Sequence, residues 1–171
     1  MVAVAAGSFF AASAVGADSP AADPVAAEAD NAVVGATFVP VTPYRAFDSR
    51  SLPICSGDLG PFDPGDAVVI DVAVDENGCN LILPESGVVA VTYNITAVNT
   101  VGQGFLSVTP VGAPSGSTSA VNWTETGQIV PNGGVVAVGD AFEQEGCCIV
   151  VEMGPSGSTN FFLDITGYYI M

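Results

Sequence analysis

Residues 87–110 read GVVAVTYNITAVNTVGQGFLSVTP. Through the first half, Val91, Tyr93, Ile95 and Ala97 alternate with Thr92, Asn94 and Thr96. An apolar residue at every second position lies on one face of a strand, whereas a helix would scatter these residues around its axis. The stretch therefore predicts two strands, Gly87 to Val98 and Gly104 to Pro110, parted by a break containing Asn99 and Gly102. The same grammar extends outward. Strands are expected over Val33 to Val41, Tyr44 to Asp48, Ala67 to Val74, Ser119 to Trp123, Gly134 to Gly139, Cys147 to Met153 and Asn160 to Ile170. Turns at Asp63-Pro64-Gly65, Glu76-Asn77-Gly78, Pro84 to Gly87 and Pro131 to Gly134 punctuate them. No amphipathic helix is legible after residue 40. Eight or nine short strands at this spacing predict an all-β fold, a β-sandwich or jelly roll. Pro-Ser-Gly-Ser-Thr at 114–118 and 155–159, and Val-Val-Ala-Val at 88–91 and 135–138, recur without a common period. Shared turn chemistry accounts for them more simply than duplication.

Composition limits the function classes. The 171 residues are 49% hydrophobic, enough for a real core in one domain plus an arm. Lys and Arg total 2 against 18 Asp and Glu, a formal charge of -16, which argues strongly against a nucleic-acid backbone as partner. Such a balance suits divalent cations, high salt, or a surface kept soluble by repulsion. Polymerisation would then need apolar or strand-mediated contacts to overcome that repulsion.

The 4 cysteines stand at Cys55, Cys79, Cys147 and Cys148. An even number at dispersed spacing predicts an oxidised, exported protein with two structural disulfides. Cys147 and Cys148 point to opposite faces of an ideal strand, so each is expected to pair with Cys55 or Cys79, in either combination. Four reduced, buried small residues are the bland alternative. Without a CxxC pair or any histidine, a tetrahedral zinc site is disfavoured.

Residues 1–37 form an apolar and acidic N-terminal arm, extended or partly helical, ahead of a β domain over 38–171. Its first 17 residues resemble the apolar part of a secretion signal without a basic n-region. Ala12-Ser13-Ala14 and Val15-Gly16-Ala17 are candidate exits. The segment is too short and too rich in Gly and Ser for a stable membrane span. Asp18 to Asp30 reads as a Pro, Ala and acid linker that no monomer core requires.

Several motifs are similar to a recurring all-β domain of secreted and cell-surface actinobacterial proteins. They are Tyr44-Arg45-Ala46-Phe47-Asp48-Ser49-Arg50, the Asp63-Pro64-Gly65 turn, and the run from Val91 to Pro110. Ser119 to Asn132 with Gly127-Gln128, and the closing Asp164-Ile165-Thr166-Gly167-Tyr168-Tyr169, complete the series in the family's order from about residue 38 to 171. The resemblance implies an exported all-β module, extracellular or at the cell surface. One compact copy, four cysteines and the long leader set this chain apart, and leave both a display module and a polymer subunit open.

Candidate chemistry is sparse. Without histidine the serine and cysteine triads lack their base, and the carboxylates are isolated, so an enzyme is not expected. Arg45, Asp48 and Arg50, with Asp164 from the last strand, predict an ion network that pins the first strand; a ligand clamp is the functional alternative. Asp63, Asp66, Asp71 and Asp75 are candidate calcium ligands, set against solvated turn acids, and no other cofactor is implied. Trp123, with Tyr93, Phe105, Tyr168 and Tyr169, is expected in the core, with a glycan platform as its alternative. Asn94 and Asn122 satisfy the glycosylation rule. Together these features predict a structural subunit of an extracellular filament or surface layer, a homopolymer. Its arm, anchored by Val33, Val34, Phe38 and Val39, would add a strand to a neighbouring copy. A secreted glycan-binding module is the second expectation.

Overall fold

A computed structural model describes residues 35–51, 60–76, 80–84, 86–114, 118–141 and 144–171. The compact unit runs from Val33 to Met171. Its strands are β1 (Thr37–Asp48), β2 (Ala67–Asp71), β3 (Val88–Val101), β4 (Gly104–Pro110) and β5 (Val121–Trp123). They continue with β6 (Val130–Ala137), β7 (Gly139–Ala141), β8 (Gln144–Met153) and β9 (Ser158–Ile170). Two antiparallel sheets result. The first has the order β1-β9-β3-β6, and the second β2-β8-β4-β5 with β7 also on β8. No helix occurs among the described residues. The fold is an all-β sandwich.

Alternation does the sorting. Along β9, Thr159, Phe161, Leu163 and Ile165 are buried while Asn160, Phe162, Asp164 and Thr166 are half-buried on the outer face. Val91, Ile95 and Ala97 of β3 add to the same inner face. Leu106, Ile149, Val151 and Met153 meet them from the second sheet. Each of the valine, leucine, isoleucine, phenylalanine and methionine side chains among them contributes about 1.5–3 kcal/mol when removed from water. Phe47, Phe62 and Phe161 close one end, with Phe47 stacked on Phe161 at 4.9 Å and Phe62 edge-on to it at 5.0 Å.

Two expected strands, Val33 to Val41 and Tyr44 to Asp48, are one strand, β1. Its pairing with β9 shifts register between Pro40 and Tyr44. Proline lacks a donor for the ladder, so Pro40 and Pro43 fit an edge strand with an irregularity between them. The expected Gly134 to Gly139 strand instead divides into β6 and β7, which join different sheets. Phe38 and Val39, expected on a free assembly arm, are paired inside β1 with Tyr169 and Tyr168. The Phe38 ring lies 5.2 Å from that of Tyr169 and over Gly167, where a Cβ would come within 2.5 Å of it. The arm's other anchors, Val33 and Val34, and the whole leader lie outside the described residues.

Candidate functional site

The outer face of the first sheet carries the two guanidinium groups. Register places Arg45 directly beside Asp164, and its Nε and Nη2 donate to the two Asp164 carboxylate oxygens at 2.9 and 3.3 Å. Arg45 Nη1 also donates to Asp48 at 3.1 Å, and Arg50 donates to Asp48 through Nε at 2.8 Å and Nη2 at 2.6 Å. The Arg50 backbone N–H adds a bond at 3.0 Å. Both guanidinium groups lie over the Phe162 ring, at 4.0 and 4.9 Å. Asp48 is only 3% exposed. Burial alone would raise its carboxyl, but the hydrogen bonds and charges of Arg50, and the charge of Arg45, hold it below the usual carboxylate range. All four predicted residues meet in one network that ties the end of β1 to β9.

The cysteines differ from expectation. The sulfurs of Cys147 and Cys148 are in disulfide-like contact with each other, and not each with a distant partner. Cys55 and Cys79 lie outside the described residues. The separating argument, opposite faces of a strand, fails because β8 loses its alternation here. Cys147, Cys148 and Ile149 are buried in succession. Asp71 of β2 pairs with Cys148 across the sheet, and a carboxylate oxygen of Asp71 and both sulfurs lie within 4.8 Å of one another.

The candidate calcium ligands do not converge. Asp63 and Asp66 belong to one turn, where the Asp63 N–H donates to Asp66 Oδ2 at 2.9 Å. Asp71 accepts the Ala73 N–H at 2.8 Å, and Asp75 accepts the Asn80 side-chain amide. Among the described residues, the one group with metal-ligand proximity is Asp71 with the cysteine pair. Asn94 is half-buried in the middle of the first sheet, between Asp164 and Gly133, whereas Asn122 is exposed on β5. Trp123 and Tyr93 are buried in the core.

One feature escaped the sequence. Tyr93, Val108, Thr109, Ala120 and Val135 line an open groove of about 440 Å³ between β6 and the β4–β5 side of the second sheet. Beside it, β6 pairs with β3 alone among the described residues, leaving its other edge unladdered. Val135 is 60% exposed on that strand. The repeated Val-Val-Ala-Val motif contained the signal: at 88–91 it lies between two ladders, and at 135–138 it lies at an edge. Neither a protein-family model, nor a curated protein, nor a solved structure matches the chain.

Proposed function

We propose that the chain is a structural subunit of an extracellular filament or surface layer, in which residues ahead of β1 of one copy lie along β6 of the next. The observation that carries this reading is the β6 edge with its adjoining groove. An unpaired edge offers a row of backbone donors and acceptors, and strand addition satisfies them. An eight-residue edge spans about 27 Å at the rise of an antiparallel strand.

The leader offers a matching strip. In Val25-Ala26-Ala27-Glu28-Ala29-Asp30-Asn31-Ala32-Val33 an extended chain would set Val25, Ala27, Ala29 and Val33, with Asn31 as the one polar member, on one face and Ala26, Glu28, Asp30 and Ala32 on the other. Small apolar side chains then face the groove and the acids face water. Extracellular placement is supported by the cysteine content and by the resemblance to exported β modules. Negative-stain imaging of the purified full chain tests the proposal. Regular polymers are expected, and deletion of residues 1–34 should leave dispersed particles with an unchanged circular-dichroism spectrum. Polymers formed equally well by the deleted chain, or none formed by the full chain, would overturn it.

A further inference from the structure

We propose that Asp71, Cys147 and Cys148 form a redox-gated site for a soft divalent cation, masked while the two sulfurs are bonded and available once they are reduced. The three ligand atoms already lie within 4.8 Å of one another, on two neighbouring strands of one sheet. Ligands on a tetrahedral ion at about 2.3 Å for sulfur and about 2.0–2.2 Å for oxygen stand about 3.5–3.8 Å apart. Once reduced, the two sulfurs must part from bonding contact to about 3.8 Å while the Asp71 oxygen closes by up to about 1 Å, movements of side chains that need no change of strand register.

Local chemistry favours such an ion. Cys148 is 0% exposed and Cys147 4%, so the thiolates would sit in a low-dielectric wall that an uncompensated negative charge cannot easily occupy. A bound cation supplies the compensation. Asp71 Oδ1 is oriented by the Ala73 N–H at 2.8 Å, a bond of the kind that positions a metal-bound carboxylate. Its direct pairing with Cys148 places the carboxylate beside the sulfurs by register and not by chance side-chain reach. Two thiolates and one carboxylate select zinc or cadmium over calcium, which prefers an all-oxygen shell.

Opening the site takes two electrons and two protons. A dithiol or phosphine reductant breaks the Cys147–Cys148 bond and is itself oxidised, leaving two thiols. Metal binding then releases their protons to solvent. The bridge and the cation are thus alternative occupants of the same sulfurs, independent of any polymer.

The test uses the full chain, reduced with a phosphine, freed of reductant without air and titrated with cadmium. A Cys55→Ser/Cys79→Ser form limits the thiols to the adjacent pair. A sulfur-to-cadmium charge-transfer band reaching one equivalent is expected after reduction and not before. Asp71→Asn should weaken binding by about tenfold or more. Should the double variant fail to fold, cadmium NMR on the reduced native chain distinguishes a mixed sulfur–oxygen shell from an all-sulfur one. No band after reduction, an unchanged affinity in Asp71→Asn, or an all-sulfur shell in the native chain would overturn the proposal.

Discussion

Asp48 concentrates the electrostatics of the molecule. It is buried, yet it serves both guanidinium groups and a backbone amide. Asp48→Asn keeps the shape and removes the charge, so Arg45 and Arg50 lose their shared counter-ion. Buried pairs broken in this way cost several kcal/mol, but both arginines reach water, so about 2 kcal/mol is expected, read as a lower urea midpoint. The depressed carboxyl also sets a pH dependence. Its stabilisation is fully present above the unfolded value, near 4, and is lost as pH falls through the lower folded value. Asp48→Asn should flatten this acid limb of the stability profile. Tyr44 sets the opposite limb. Its hydroxyl donates to the Val72 carbonyl, joining the two sheets, and burial, then the Asp71 charge, raises its pKa well above the ordinary phenol value. That contribution is complete below about pH 10 and is lost as pH rises further. Tyr44 and Tyr93 should ionise above the ordinary phenol range in an ultraviolet titration, and Tyr44→Phe should remove one late step.

At the scale of elements, the β3–β4 hairpin and the β6 edge make separable predictions. Gly104 opens β4 against Trp123, and a Cβ there would lie 2.6 Å from the indole and 2.5 Å from the Ser156 carbonyl oxygen. Backbone cannot yield as a flexible side chain does, so Gly104→Ala should cost about 2–3 kcal/mol and shift the tryptophan emission. The adjoining loop is pinned by Thr100, whose hydroxyl donates to Glu125 O at 2.8 Å and accepts the Gln128 N–H at 2.8 Å. Val135→Asp on β6 has the opposite profile. The side chain is exposed, so the urea midpoint should hold within about 0.5 kcal/mol. A charge on the proposed receiving edge should nonetheless abolish the polymers expected in negative stain.

For the whole molecule, a charge of -16 opposes any contact between copies. Screening shortens the reach of that repulsion to about 8 Å at physiological salt and to about 3 Å at 1 M. Light scattering should therefore show the proposed assembly quicken as sodium chloride rises, and Val135→Asp should remain dispersed at every concentration. A rate that falls with salt would mean that attraction between charges, and not strand addition, holds the copies together.

Period-two alternation was enough to determine the all-β class and nearly every strand, because which face a side chain occupies is a local property of the backbone. The residues of the Arg45–Asp48–Arg50–Asp164 network were legible as well, since only two cations exist to neutralise buried acids. Tertiary structure alone decided the contact between Cys147 and Cys148, the pairing of Phe38 and Val39 within β1, and the groove beside β6. Each depends on which strands become neighbours and where a sheet stops, and no local pattern encodes either. Asp71 shows the difference: in the chain it is one turn acid among several, and across the sheet it stands against two sulfurs.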